Sequence, residues 1–249
     1  MVPSNASLHG KGVFTTVAIS EGEPFLWEKH WKRLTSNAAQ IEIDLSEQSK
    51  EAVLQDLTDK IASNAISRGL ARITFLDESP SVIWSFETNR TTTLLITADN
   101  LRRIPENFKI TLSPYKVNSQ SPLAGVKSCN YLEKIMGLDE AKARGFDEAI
   151  QLNERGEVTS AVMANVFWLR EDVLYTPSLE TGCLAGTTRE FVMENVACRE
   201  VVAAIDDLAK SEAVFLTSAG VGVVRVATYK SRSFDRIEHP ILALWPSYN

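Results

Sequence analysis

The apolar and polar positions in the first part of the chain predict two strands followed by a helix. An apolar run favours a strand over residues 13–19, and the turn at residues 21–24 leads to a second short strand at residues 25–27. A helix is expected to begin near Lys29, because four residues share one helical face. These residues are His30, Arg33, Leu34 and Asn37.

A second helix is predicted over residues 47–67, where apolar residues recur every four positions and Gly69 ends the pattern. The recurring positions are Val53, Leu57, Ile61 and Ala65. Three β-rich runs follow, at residues 71–76, 82–86 and 93–97. This first part of the chain therefore indicates a small α+β unit with a mostly antiparallel sheet.

The second part of the chain reads as a β-rich barrel or sandwich with a few helices. A polar, proline-bounded stretch over residues 113–122 is the predicted linker, and a helix over residues 131–144 ends at Gly145. Strands are predicted at 148–152, 162–169, 173–175, 213–216 and 221–226, and a further helix at 188–196. We therefore expect two domains, 1–116 and 117–249.

Composition narrows the class of protein. The chain has 249 residues, of which 44% are hydrophobic and 23% are charged. These proportions are ordinary for a globular protein and exclude a disordered or collagen-like chain. The formal net charge is −6 and there is no basic block, which argues against binding to nucleic acid through its phosphates. No apolar run is long enough to span a membrane.

Three scattered cysteines, Cys129, Cys183 and Cys198, show no metal-ligand spacing. Together with only three histidines they indicate neither a zinc site nor a disulfide framework, so no metal is predicted. A reducing compartment is favoured, since disulfides persist mainly in oxidising ones. The first residues lack the charged-then-apolar design of a secretory signal, and we expect a soluble protein of the cytoplasm.

Lys127 is the clearest candidate for a catalytic side chain. Small and apolar residues precede it, and a helix is predicted just after it. Such surroundings disfavour the ammonium form, so that the amine could act as a nucleophile or base. A loop lysine with its ammonium in water is the alternative.

Two short segments rich in glycine and hydroxyl side chains are candidate phosphate sites. Residues 182–189 lead into a predicted helix, whose first N–H groups attract anions. Residues 217–220 form a second small turn with hydroxyl side chains. An ordinary helix cap or turn is the alternative for each segment.

Several motifs follow one another in a known order. They lie at residues 10–16, 30–34 (HWKRL), 127, 156–159, 164–167, 175–177, 186–189 (GTTR) and 215–220. In this order they resemble the fold-type IV pyridoxal-phosphate enzymes, also called class IV aminotransferases. The resemblance extends from residue 10 to about residue 226.

The resemblance implies an α/β (α+β) fold of two domains like that of D-amino-acid aminotransferase, with a small α/β domain and a larger β-barrel-like α/β domain. It implies pyridoxal 5′-phosphate (PLP) as cofactor, held by Lys127 as a Schiff base, after which this lysine moves protons as a general base and acid. Tyr131 either contacts the phenolic oxygen of the cofactor or packs in the core. A homodimer and a small substrate with an amine and a carboxylate are also implied. The positions that match the phosphate side of the cofactor site are Arg33, Thr187, Thr188, Ser218 and Ala219.

Ser160 departs from the family pattern. Members have a glutamate at this position beside the pyridine ring, where it keeps the ring nitrogen protonated, and Glu157 is out of register to replace it. A serine makes the cofactor a weaker electron sink, which disfavours transamination. Elimination of pyruvate from 4-amino-4-deoxychorismate tolerates a weak sink better, because aromatisation helps to drive that reaction.

The residues around Lys127 and at 164–168 look most like the aminodeoxychorismate lyase branch of the family. We therefore expect a lyase that releases pyruvate and 4-aminobenzoate. An aminotransferase for a branched-chain or D-amino acid is one alternative, and a weakly active relative that only binds PLP or a phosphorylated metabolite is another. The candidates for binding the substrate carboxylate are Arg72, Arg90, Lys116 and Arg225.

Overall fold

The computed structural model describes residues 3–81, 91–101 and 103–245. The chain divides into two compact units. The first comprises Met1–Arg102 and Val126–Tyr131, and the second comprises Arg103–Gly125 and Leu132–Asn249. The expected boundary between domains 1–116 and 117–249 stays a prediction.

An antiparallel sheet is the centre of the first unit. The elements of this unit are α1 (Asn5–His9), β1 (Gly12–Ser20), β2 (Glu23–Pro24), α2 (Trp27–Gln40), α3 (Lys50–Ser63), β3 (Arg68–Asp77) and β4 (Thr92–Asn100). Among the described residues the strands run in the order β2–β1–β3–β4. Val13 and Val17 of β1 form one core cluster with Leu34 of α2 and Leu57 of α3. Because Val13 and Val17 are four positions apart in a strand, they lie on the same face of the sheet, and that face is covered by the two helices.

The predicted strands at 13–19, 71–76 and 93–97 are confirmed, and the one predicted at 82–86 lies outside the described residues. The helix predicted near Lys29 is also confirmed, with its shared face of buried His30, Leu34 and Asn37.

Two expectations for the first unit are wrong in detail. The short strand predicted at residues 25–27 is not formed, because Leu26 adopts a left-handed conformation with φ 58° and α2 begins at Trp27. The strand that pairs with β1 is Glu23–Pro24. The helix predicted over 47–67 ends at Ser63, because Ala65 has φ 49°, which a right-handed helix does not accommodate.

A mixed sheet forms the second unit. Its elements are β5 (Phe108–Leu112), α4 (Leu132–Ala143), β6 (Glu148–Leu152), β7 (Val158–Ala161), β8 (Asn165–Arg170), β9 (Val173–Pro177), α5 (Thr187–Asn195), β10 (Cys198–Val201), α6 (Ile205–Ala209), β11 (Ala213–Ser218), β12 (Gly222–Tyr229) and β13 (Arg232–Ser233). The strand order is β10–β9–β8–β11–β12–β5–β6–β7, and β13 pairs with β12. Ile110, Ile150, Trp168 and Leu216 are buried in its largest apolar cluster.

Most predicted elements of the second unit are confirmed, including the strand at 148–152 and the helices at 131–144 and 188–196. The strand predicted over 162–169 is confirmed as β8, but it begins only at Asn165, because a tight turn in which the N–H of Ala161 donates to the carbonyl of Ala164 (2.8 Å) precedes it. The predicted linker has neither helix nor strand, yet Val117 within it donates its N–H to the carbonyl of Leu152 (2.9 Å). Thus the linker is tied to the second unit.

This mixed architecture agrees with the predicted α/β fold class. No helix within the described ranges is long and apolar enough to cross a bilayer.

Candidate active site

Residues 126–131 lie along the edge of β1 opposite β3, and this position fixes the backbone of Lys127. Phe14 donates its N–H to the carbonyl of Lys127 (3.0 Å), and Cys129 donates its N–H to the carbonyl of Gly12 (2.8 Å). The N–H of Lys127 donates to the side-chain oxygen of Asn37 in α2 (2.9 Å). The side chain of Lys127 therefore emerges at a defined point beside Phe14.

The amine of Lys127 is held by two aromatic residues. Its Nζ donates to the phenol of Tyr131 (3.2 Å) and lies 4.3 Å from the centre of the Phe14 ring. The two rings meet edge to face, with centres 5.0 Å apart. The guanidinium carbon of Arg72 lies 3.6 Å from the centre of the same Phe14 ring. Both cations thus interact with one aromatic ring, which is attractive for each of them.

Arg33 is oriented by a buried threonine. Its guanidinium donates to Oγ1 of Thr15 (2.8 Å), and the same oxygen lies 2.7 Å from Nδ1 of His30. Because a guanidinium only donates, the threonine oxygen accepts from Arg33 and is able to donate its own hydrogen to His30. Burial, with the nearby charges of Arg33 and Lys127, lowers the pKa of His30 well below its ordinary value. The ring is therefore neutral and Nδ1 accepts.

In the second unit, Thr187 and Thr188 are the first two residues of α5. Gly186 precedes them as the N-cap and provides no side-chain cap. Both threonines are buried, and Oγ1 of Thr188 has no hydrogen-bond partner among the described residues. The first turn of a helix and a nearby hydroxyl are suited to bind an anion.

Asn165 connects the start of α5 with the end of β11. Its side-chain amide donates to the carbonyl of Leu184 (2.8 Å), and in the sheet Asn165 pairs with Thr217. A Cβ at position 186 would overlap Oδ1 of Asn165, so only glycine permits this close approach. Oγ1 of Thr217 is also buried without a hydrogen-bond partner in the described ranges.

Ser218 and Ala219 form the turn that follows Thr217. Oγ of Ser218 accepts from the N–H of Val221 (3.3 Å), and Ala219 is buried. The structure therefore places residues 218–219 directly after Thr217, so that its partnerless hydroxyl belongs to the candidate phosphate turn at 217–220.

Ser160 lies in β7, where its partner across the sheet is Gln151 of β6. Lys134 of α4 donates to Oε1 of Gln151. Burial lowers the pKa of Lys134 to about 8, against the opposing effect of Glu148. Lys134, Gln151 and Glu148 are functional candidates that the sequence alone did not predict. The available signal was two polar residues within the otherwise apolar strand at 148–152.

The carboxylate of Glu148 is buried and bound by three backbone N–H groups, those of Ala149 (2.9 Å), Val162 (3.1 Å) and Met163 (3.0 Å). Burial raises the pKa of Glu148 to about 7, although these donors and Lys134 act in the opposite direction. The carboxylate connects β6 with the turn between β7 and β8.

Comparison with known proteins places this arrangement in a family. The family model described as amino-transferase class IV matches residues 12–229. The chain belongs to this family. Class IV aminotransferases are PLP-dependent, so the predicted family and its cofactor are confirmed.

Individual relatives of this chain include two kinds of enzyme. The aminodeoxychorismate lyase of Bacillus subtilis is 32% identical over 195 residues, which is 76% of this chain and 65% of that relative. A putative branched-chain-amino-acid aminotransferase of Methanocaldococcus jannaschii is 26% identical over 232 residues, 88% of this chain and 78% of the relative. The crystal structure of a putative 4-amino-4-deoxychorismate lyase from Legionella pneumophila superposes with a TM-score of 0.83 at 27% identity. The superposition covers 96% of this chain and 90% of the Legionella pneumophila protein.

The residues of each unit fit PLP chemically. The first unit supplies an amine beside a phenol, at Lys127 and Tyr131, and a guanidinium at Arg33. The second supplies two buried hydroxyls without hydrogen-bond partners in the described part of the chain, those of Thr188 and Thr217.

The roles of the predicted site residues remain predictions. Of the carboxylate candidates, Arg72 contacts Phe14, and Arg90 lies outside the described residues.

Proposed function

We propose that this protein is a PLP-dependent lyase that converts 4-amino-4-deoxychorismate into pyruvate and 4-aminobenzoate. The observation that carries the proposal is the Lys127 amine, which lies 3.2 Å from the Tyr131 phenol and against the Phe14 ring. Similarity to the aminodeoxychorismate lyase of Bacillus subtilis and to the putative lyase of Legionella pneumophila supports the substrate class.

Lys127 has two tasks in this proposal. It would hold the cofactor through its amine, and once the substrate amine had taken its place, the freed amine would remove the proton from the amine-bearing ring carbon. The bound cofactor supplies the electron sink for that carbon. The enol-ether C–O bond then breaks, the ring becomes aromatic, and the departing enol takes up a proton to give pyruvate. Tyr131 keeps the Lys127 amine in place through its phenol.

The cofactor phosphate is assigned to residues with charge or hydroxyl groups. In the first unit this is Arg33, whose guanidinium is held by Thr15 and is able to bind a phosphate through paired hydrogen bonds. In the second unit these are the hydroxyls of Thr187, Thr188 and Ser218, together with the backbone of Ala219, at the start of α5 and at the end of β11. We assign Ser160 to the ring nitrogen.

Ser160 is the residue that favours a lyase over a transaminase. The side chain has no negative charge to hold a protonated ring nitrogen, so the electron sink is weak. An elimination that creates an aromatic product depends less on that sink than transamination does.

An aminotransferase for a branched-chain or D-amino acid is the second candidate. The similarity to the enzyme of Methanocaldococcus jannaschii, which extends over 88% of this chain, favours it. Arg72 would then bind the substrate carboxylate, since its guanidinium and the Lys127 amine contact the same Phe14 ring.

We also propose a homodimer that acts in the cytoplasm. Leu132, Ile135 and Met136 of α4 are exposed apolar side chains, with Leu132 70% exposed, and a second copy would cover them. The three cysteines are free thiols, which suits a reducing compartment.

The test begins with the visible spectrum of the protein with added PLP, followed by borohydride reduction and identification of the labelled lysine. We expect labelling at Lys127, loss of labelling in Lys127→Ala, and no loss in Lys142→Ala, which changes an exposed lysine of α4. Release of pyruvate with 4-aminobenzoate would then support the lyase. An amino acid that converts bound PLP to its pyridoxamine form, and a keto acid that converts this form back to PLP, would support the aminotransferase. Failure to bind PLP would overturn both.

A further inference from the structure

Ser160 and Gln151 form a buried polar pair on neighbouring strands. They are directly opposite each other in the antiparallel pairing of β7 and β6, so their side chains share one face of the sheet. Ser160 is 6% exposed and Gln151 is 3% exposed. Among the described residues the Ser160 hydroxyl makes no hydrogen bond, and its oxygen is not one of the completely enclosed ones, so a ligand can reach it.

Lys134 determines which end of the Gln151 amide is available. An ammonium group only donates hydrogen bonds, so the amide oxygen of Gln151 must face Lys134. The two N–H donors of the same amide then remain for another partner. The polar pair at Ser160 therefore offers hydrogen-bond donors.

The charge next to this pair is positive. Burial lowers the pKa of Lys134 only to about 8, so the group is mainly protonated at neutral pH. The acidic groups that act on it are Glu148, Glu133 and Cys183. Glu148 is the strongest of them, but burial raises its pKa to about 7, so this carboxyl is only partly ionised at neutral pH. Glu133 is exposed, and burial raises the pKa of the Cys183 thiol, which favours its neutral form.

We propose that Ser160 and Gln151, with Gln151 oriented by Lys134, present donors to the cofactor's ring nitrogen and keep that nitrogen unprotonated. This inference rests on the proposed function, which assigns Ser160 to the ring nitrogen. The lone pair of an unprotonated ring nitrogen accepts hydrogen bonds from these donors. A protonated ring nitrogen would instead point its own N–H at the N–H and O–H donors and would be repelled by the nearby Lys134 cation. Lys134 acts through Gln151 and is therefore a positioning residue.

The direct test is the ¹⁵N chemical shift of PLP labelled at the ring nitrogen and bound to the whole protein, recorded between about pH 6 and pH 9. We expect the shift of an unprotonated pyridine throughout. The shift of a protonated pyridinium at pH 7 would overturn the inference while leaving PLP binding, and with it the proposed function, intact. A protein that does not bind PLP at all would overturn both.

Variants test the individual residues by the same readout, with the titration extended down to about pH 4 so that the onset of protonation is observed in each protein. Ser160→Glu should give a protonated nitrogen, because a carboxylate then faces it. In Lys134→Met the Gln151 amide is free to turn and a cation is lost, so protonation should begin at a pH about one unit higher. Lys142→Met, in the same helix but exposed, should not change the shift. If Lys134→Met does not fold, Gln151→Met takes its place, because it removes the amide N–H donors that Lys134 orients, and protonation should again begin at a higher pH. An unchanged shift in both variants would contradict the roles of Lys134 and Gln151.

Discussion

The hydroxyl oxygen of Thr15 lies 2.7 Å from Nδ1 of His30 in the core of the first unit. The same oxygen accepts a hydrogen bond of 2.8 Å from Arg33. Both residues of this pair are almost completely buried, and the low pKa of His30 keeps the ring neutral. Thr15 thus links a strand to a helix and, at the same time, sets the direction of an arginine assigned to the cofactor phosphate.

Replacing Thr15 should weaken binding of the cofactor through its phosphate. Thr15→Val keeps the shape of the side chain but removes both hydrogen bonds, and a bond to a charged group contributes about 1.5–3 kcal/mol. We expect affinity for PLP to fall roughly tenfold or more. Affinity for pyridoxal, which has no phosphate, should hardly change. Absorbance titrations with both compounds measure this difference.

Thr15→Ser is the matched control, since it keeps the hydroxyl and should retain most of the affinity for PLP. An equal loss of affinity for PLP and for pyridoxal in Thr15→Val would show that Thr15 does not act through the phosphate.

Tyr131→Phe should slow the reaction without preventing attachment of the cofactor. The phenol accepts from the Lys127 amine at 3.2 Å, and the variant leaves that amine without this partner. We expect kcat for pyruvate release to fall by roughly tenfold to a hundredfold, in line with loss of a hydrogen bond to a charged group. Borohydride should still label Lys127. Tyr115→Phe, which changes a tyrosine that is 40% exposed, serves as control. Unchanged kcat would place Tyr131 in a packing role only.

Gly186→Ala should destabilise the protein and weaken PLP binding. The new Cβ would overlap Oδ1 of Asn165, which itself fixes the loop before α5 through Leu184. Crowding of this kind costs about 1–3 kcal/mol of the free energy of unfolding. Urea denaturation measures the cost. Adding Asn165→Ala removes the obstacle, so the double variant should lose less stability than the sum of the two single variants. Simple additivity would contradict this explanation.

Glu148 should make the free energy of unfolding depend on pH. Its pKa is about 7 in the folded protein against an ordinary value of 4.5. Between these values the folded state binds more protons than the unfolded state, so this contribution to stability falls as pH rises from about 4.5 to about 7. In Glu148→Gln this slope should disappear, which changes the pH dependence by up to about 1 kcal/mol per pH unit.

Urea denaturation at several values between about pH 5 and pH 7 tests the Glu148 prediction. Glu148→Gln should also be less stable overall, because an amide nitrogen would face one of the three N–H donors. As a control, Glu47→Gln changes an exposed glutamate and should show the same pH dependence of the free energy of unfolding as the unaltered protein. Curves for Glu148→Gln and the unaltered protein that run parallel would refute the assignment.

Much of the fold could be predicted because regular elements have their own periodicity. The buried strand at 148–152 and the helix that ends before Gly145 are recognisable from local residues alone. The errors occur where backbone conformation departs from that periodicity. Leu26 and Ala65 both have a positive φ angle. Residues other than glycine rarely adopt such an angle, and nothing in the neighbouring sequence predicts it here.

The candidate site was predictable only in part. The order of the motifs pointed to Lys127, Arg33 and the threonines at the start of α5, and comparison confirmed the family and its cofactor. Lys134 and Gln151 were missed, because they are 17 positions apart in the chain and neither belongs to a motif. Their functional role depends on the hydrogen bond between α4 and β6, which forms only in the folded protein.

The sequence by itself determined the elements, the family and the replacement of a glutamate by Ser160, because these follow from residue identity and spacing. Tertiary structure alone decided how the side chains are paired: Lys127 with Tyr131 at the edge of β1, Thr15 with His30 and Arg33, and Gln151 with Lys134. The physical reason is that a hydrogen bond requires a donor and an acceptor within about 3 Å. For groups far apart in the chain, only the folded backbone sets that distance.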